Sequence, residues 1–148
     1  MHVRRWIQGS LGVLIAGLAA LATGSADAAL VEKRCPVSLE VTSVATGGGC
    51  WIDAPPKGAT ASAAFLCGGG PIAFTLGKHG FSGTVEGGML NATATSTFEF
   101  SDGCSWVTTQ RVSGSLASGK LAYGYSERVA KGRGCASACT ASGIVAVK

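Results

Sequence analysis

The chain has 148 residues, of which 47% are hydrophobic, 14% are charged and 23 are glycines, and its formal net charge is +4 at pH 7. The length excludes a large multidomain enzyme, the apolar content excludes a disordered chain, and the glycine content argues against a helical bundle. Because the basic residues are scattered, with no dense stripe interleaved with aromatic residues, nucleic acid is not an expected partner.

The first 28 residues have the pattern of a secretory signal peptide. Arg4 and Arg5 precede an uncharged apolar stretch from Ile7 to Thr23, and residues 26–28 have the small-x-small pattern that signal peptidase cleaves. The residues after the arginine pair fit a twin-arginine signal poorly, which favours general secretion. The apolar stretch, at about 17 residues, is at the lower limit for a bilayer span. We therefore predict one secreted or periplasmic domain, residues 29–148, with no membrane span after cleavage.

Six cysteines follow the predicted signal segment, at positions 35, 50, 67, 104, 135 and 139. An even number of cysteines in a small exported domain indicates three disulfides. Cys135 and Cys139 are closely spaced, but no second close pair and only one further histidine, His79, could complete a tetrahedral zinc site. We therefore predict disulfides, no metal and no cofactor.

The remaining pattern is that of β-strands joined by short turns. Weak strand patterns at 37–44 and 60–67 flank a long loop, 45–59, and residues 89–100 alternate between apolar and polar side chains, which a helix cannot use. Turn signals then recur at 77–80, 87–88, 101–103 and 118–119. A further strand at 140–147 brings the total to about eight.

The turns also predict how the strands pair. Each short turn fixes which residues oppose one another, and all four turns place the apolar residues on one face. The turn at 77–80 opposes Leu76 to Phe81 and leaves His79 exposed, whereas the turn at 118–119 opposes Gln110 to Glu127. We predict an all-β, antiparallel up-and-down meander of about eight strands that closes into a barrel, with a two-sheet β-sandwich as the alternative.

Strand direction narrows the disulfide pairing. We call the end toward which the strand at 37–44 runs the upper end of the barrel. Alternating strands place Cys35 and Cys67 at the lower end and the other four cysteines at the upper end, where three pairings remain. The register favours Cys104–Cys135 there, which leaves Cys50–Cys139 beside Cys35–Cys67.

Several polar side chains lie on the otherwise apolar inner face near the upper end. A buried carboxylate is costly unless it is paired, so Glu127 needs an explanation. Three explanations remain: Gln110 and Tyr125 satisfy it, the end of the strand is open to solvent, or the upper end is a ligand pocket, as in other small barrels. The candidate ligand-binding residues are Trp51, Ser96, Trp106, Thr108, Gln110, Tyr125 and Glu127.

The leading functional hypothesis is an exported, disulfide-stabilised β-barrel that binds a small molecule, a glycan or a protein at its upper end. The alternative is a structural envelope or extracellular protein with a packed interior. A hydrolase ranks third, because His79 is expected to be exposed in a turn and no serine has a nucleophile-elbow sequence. The sequence assigns no catalytic residue and no oligomeric state.

Overall fold

The computed structural model describes residues 32–46, 53–100, 103–132, 134–135 and 139–148. The predicted signal peptide, Cys50 and Trp51 lie outside these residues. The signal segment, the Cys50–Cys139 bond and a ligand contact at Trp51 therefore remain predictions.

Eight antiparallel strands and one short 3-10 turn make up the fold. The strands are β1 (Arg34–Thr46), β2 (Thr60–Leu66), β3 (Gly70–Leu76), β4 (His79–Glu86), β5 (Met89–Glu99), β6 (Ser105–Ser115), β7 (Lys120–Lys131) and β8 (Thr140–Val147), and the 3-10 turn is Leu116–Ser118. The described residues contain no α-helix.

The strands form one nearly closed, barrel-shaped sheet. Their order is β2-β1-β8-β7-β6-β5-β4-β3, so β8 returns to pair with β1. A seam without a hydrogen-bonded ladder separates β2 from β3, which are joined by a tight turn in which the Gly69 N–H donates to the Leu66 carbonyl oxygen at 2.7 Å. The predicted all-β meander is confirmed, and the single continuous sheet replaces the two-sheet alternative.

Alternation along the strands builds the core. Inward residues of every strand are buried in one cluster, in which the rings of Phe74 and Phe81 stack with their centroids 5.2 Å apart. The larger members that are almost fully enclosed include Leu39, Leu76, Leu90, Leu121 and Val145. Each such side chain contributes about 1.5–3 kcal/mol through removal from water, and together they fix which face of the sheet is inward.

Two of the predicted registers are wrong by two residues. The β3–β4 turn is shorter than expected, so Leu76 pairs with His79 and not with Phe81. The β6–β7 connection is longer because a 3-10 turn inserts there, so Gln110 pairs with Tyr125 and not with Glu127. Since side chains alternate with a period of two, a slip of two residues leaves each one on its predicted face.

Two disulfides brace opposite ends of the barrel. Cys35 is bonded to Cys67 at the lower end with a Cα–Cα distance of 5.0 Å, and Cys104 is bonded to Cys135 at the upper end with a distance of 5.9 Å. Strand direction predicted the first pairing, strand direction and register together predicted the second, and both are confirmed. Gly132 permits the upper bond, because a Cβ at this position would lie 2.5 Å from Cys135 Sγ.

Candidate functional site

Polar side chains from three neighbouring strands meet inside the upper half of the barrel. Ser96 pairs with Thr108 and Thr108 pairs with Glu127, so the three lie at one level of β5, β6 and β7. Ser96 Oγ and Thr108 Oγ1 are 2.7 Å apart and share a hydrogen bond. The structure thus brings together three of the residues predicted as ligand contacts.

Glu127 takes its side-chain hydrogen bond from a tyrosine. Its side chain is buried, with the residue only 8% exposed, and Tyr125 Oη donates to Glu127 Oε2 at 2.9 Å. Burial, together with this hydrogen bond, raises the pKa of Tyr125, so the hydroxyl stays protonated as a donor at neutral pH. Among the described residues no basic side chain forms an ion pair with Glu127.

Gln110 joins a second, separate set of hydrogen bonds. Tyr123 Oη donates to Gln110 Oε1 at 2.9 Å, and Gln110 Nε2 donates to the Asp53 carbonyl oxygen at 3.1 Å. Burial raises the pKa of Tyr123 as well. The expectation that Gln110 satisfies Glu127 is therefore wrong, because the two-residue register shift moves Tyr125 opposite Gln110.

A short segment, Asp53–Gly58, crosses the upper end, and we call it the upper strap. One end is bonded to β1, where the Gly58 N–H donates to the Val41 carbonyl oxygen at 2.8 Å. Pro55 is fully buried, and a Cβ on Gly77 in the β3–β4 turn would lie 3.5 Å from it. At the other end Asp53 accepts the bond from Gln110, and its Oδ1 lies 2.7 Å from Lys78 Nζ. The strap therefore covers the part of the interior that contains Gln110.

His79 lies beneath this strap, and its predicted exposure is wrong. The residue is only 7% exposed, because the two-residue turn makes it the first inward position of β4. Its Nε2 is 3.8 Å from Asp53 Oδ1 and has no hydrogen-bond partner in the described part of the chain. Desolvation by burial lowers the pKa of His79, against an opposing pull from Asp53, so the ring is neutral at neutral pH. Interpreting Gly77-Lys78 as a two-residue hairpin would have placed His79 on the inner face with Phe81.

An aromatic cluster of Phe98, Phe100 and Trp106, which we call the aromatic rim, lies at the upper ends of β5 and β6. The Phe100 and Trp106 rings meet edge to face at 5.1 Å, and the Phe98 and Trp106 centroids are 6.2 Å apart. Phe100 is 49% exposed, because it follows the last residue of β5. Trp106 is buried, and its Nε1 has no hydrogen-bond partner among the residues that the structure describes. The rim thus combines an exposed ring with an unused N–H donor.

The described part of the chain contains neither a group of three metal-ligating side chains nor a helix with the length and hydropathy needed to cross a bilayer. What the upper end offers is hydrogen-bonding groups beside aromatic rings, which is the chemistry of a binding site. No family model, no curated protein and no solved structure matches this chain.

Proposed function

We propose that the protein is an exported binding module that takes its ligand at the upper end of the barrel, against the aromatic rim. The observation that carries the proposal is the buried Trp106 N–H, which lacks an acceptor beside the half-exposed ring of Phe100. Leaving a buried donor unpaired costs about 1–3 kcal/mol. A ligand that brings an acceptor to this N–H would remove that penalty.

The size of the exposed aromatic surface favours a compact ligand. Phe100 is the large apolar residue exposed at this end, since the others that the structure describes, Met89 and Ile144, belong to β5 at the lower end and to the outer wall of β8. A stable protein interface needs about 800 Å² per partner with several buried anchors. A small molecule or a glycan unit, with one flat apolar face and a hydrogen-bond acceptor, fits this surface better.

The predicted ligand contacts divide into two proposed roles. Gln110 donates to the upper strap at Asp53, so its role is to position that strap, whereas Tyr125 donates to Glu127, so its role is to position that carboxylate. Ser96, Thr108 and Glu127 supply the polar level below Trp106 and would meet polar groups of a ligand that reaches inward. Trp51 lies two positions before the first residue of the strap, and its contact is proposed from sequence alone.

Export is proposed from the covalent structure and the N-terminal pattern together. Disulfides form and persist in oxidising compartments, and two of them brace this domain. They support interpreting residues 1–28 as a signal peptide. N-terminal sequencing of the protein recovered from outside the cytoplasm tests this, and we expect the first residue to be Ala29.

Two substitutions at the rim test the binding function. Trp106→Phe keeps a ring and removes the N–H, whereas Phe100→Ser removes the exposed ring. Met89→Ser is the matched control, since Met89 is similarly exposed but lies at the opposite end of β5. Ligands found by glycan array and small-molecule thermal-shift screening should lose at least about tenfold in affinity with both rim variants, which is about 1.4 kcal/mol. Equal affinity in all three variants would contradict the proposal.

A second function, a structural protein with a packed interior, is favoured by one observation. Gln110 has partners for both ends of its amide, as a packed core requires. This alternative predicts that the screens return no ligand whose affinity depends on Trp106 or Phe100.

A further inference from the structure

A shallow notch lies on the outer wall of the barrel, across the sheet from the upper-end site. Its volume is about 280 Å³, and it lies between β6 and β7. Thr109, Arg111, Gly124 and Ser126 line it, together with Tyr125, whose side chain is buried in the core on the other face of the sheet. Arg111 pairs with Gly124, and Thr109 pairs with Ser126. The four outward positions therefore form a compact block, two from each strand, with Gly124 as the open position.

Nothing within the fold requires glycine at position 124. Its backbone lies outside the left-handed region, and a Cβ built there would meet no other heavy atom within 4 Å. Glycine in the middle of a strand weakens the strand, because it has no side chain to pack and more conformational freedom to lose. Such a glycine often marks a place where a ligand approaches the backbone closely.

The charge on the notch is positive and unpaired. Arg111 is exposed and forms no ion pair with an acidic side chain in the part of the chain that the structure describes. Its partner on β5 is Thr93, and the partner of Gly124 on β8 is Ser142. The next row across the same strands contains only hydroxyl side chains, namely Thr95, Thr109, Ser126 and Thr140. The Arg111 guanidinium therefore lies among outward-facing hydroxyl side chains.

We propose that this notch binds an acidic polysaccharide, with Arg111 holding a carboxylate or sulfate group of one sugar unit. A guanidinium presents two parallel N–H donors that match the two oxygens of such an anion. The hydroxyls of Thr109 and Ser126 can exchange hydrogen bonds with hydroxyl groups of the sugar, and the missing side chain of Gly124 lets the ring approach the strand. The block has no aromatic side chain on which a nucleobase could stack, which favours a polysaccharide over a nucleic acid.

Titration of the purified protein with both disulfides intact tests this site. Binding is measured by calorimetry at low salt. The acidic probes are heparin, which carries sulfate groups, and alginate, which carries carboxylate groups; the comparison probes are neutral dextran and a single-stranded DNA of matched charge. We expect heparin or alginate to bind, dextran not to bind, and the DNA to bind at least tenfold more weakly than the better polysaccharide. The stronger of the two acidic polysaccharides identifies the anion.

Two variants address the notch itself. Arg111→Gln removes the guanidinium, and Gly124→Val fills the open position, so each should weaken polysaccharide binding at least tenfold. Valine is favourable in strands, so Gly124→Val should fold with an unchanged or higher thermal midpoint. Gly80→Val is the matched control, because Gly80 is an exposed β4 glycine whose built Cβ likewise meets nothing within 4 Å. It should leave the affinity unchanged.

Arg128→Gln separates a built site from general charge attraction. Arg128 is exposed on the same face of β7 but pairs with Val107, outside the notch. The proposal requires Arg128→Gln to change the affinity less than threefold. It is overturned if Arg128→Gln and Arg111→Gln weaken binding equally, if Gly124→Val binds like the wild type, if no acidic polysaccharide binds, or if the DNA binds as tightly as the polysaccharides.

Discussion

Replacing Gln110 with leucine tests whether this amide holds the upper strap to the barrel. Leucine is close to glutamine in size and keeps the position apolar, but it removes the bonds at 2.9 Å from Tyr123 and at 3.1 Å to the Asp53 carbonyl oxygen. Each buried partner left unpaired costs about 1–3 kcal/mol, and the added apolar burial returns about 1–1.5 kcal/mol. We therefore expect the free energy of unfolding to fall by about 1–5 kcal/mol.

Urea unfolding followed by circular dichroism measures this loss, and a thermal midpoint lowered by roughly 4–20 °C would accompany it. Thr95→Val is the control, since Thr95 is exposed on the outer face and its substitution should change stability by no more than about 0.5 kcal/mol. Combining Gln110→Leu with Tyr123→Phe should recover about 1–2 kcal/mol, because the tyrosine hydroxyl is no longer left unpaired. Full stability in Gln110→Leu, or strict additivity in the double variant, would refute the reasoning.

Three further predictions concern the carboxylate, the histidine and the lower disulfide. Glu127→Leu should raise the urea midpoint while weakening the binding of any ligand, because it removes a buried carboxylate that has no basic partner among the described residues. A loss of more than about 1 kcal/mol in stability would instead favour the structural alternative. Burial lowers the pKa of His79 from its ordinary 6.5, so the unfolded chain takes up this proton more readily, and stability should fall as the pH drops below about 6.5. Measuring the free energy of unfolding of wild type and His79→Leu between about pH 7 and pH 5 isolates this effect, and parallel dependence of the two free energies on pH would contradict it. Replacing both Cys35 and Cys67 with alanine opens a bridge between positions 32 apart and should cost about 3–4 kcal/mol in urea unfolding, whereas an unchanged midpoint would mean that the lower end needs no brace.

The alternation of side chains made the fold and the inner face predictable. Residues such as Thr108 and Glu127 lie on the face that a period of two assigns to them, even where the predicted register is wrong. Two errors of two residues changed the pairing partners without changing the face. Strand direction alone was enough to pair Cys35 with Cys67, because it separates lower from upper cysteines.

The upper strap could not be predicted, because no periodic pattern encodes the path of a loop. Asp53 reaches Gln110 across 57 positions of sequence, and its contacts with Lys78 and His79 depend on a turn whose length was misjudged. The sequence of the β3–β4 turn allows either a two-residue or a four-residue hairpin. The length of that hairpin decides whether His79 is buried or exposed. The unpartnered Trp106 N–H likewise depends on three-dimensional packing that the sequence does not express.

The pairing of β8 with β1 has a consequence for how the chain acquires its structure. Contacts across this pair link positions about a hundred apart, as the bond from Thr42 Oγ1 to the Ile144 carbonyl oxygen shows with its separation of 102. Contacts between distant positions form slowly, because the intervening chain must first be brought together. A nascent chain can build the hairpins from β3 to β7 as it is synthesised, but one edge of β1 has no neighbour until β8 emerges. The sheet therefore closes only after β8 has joined β1.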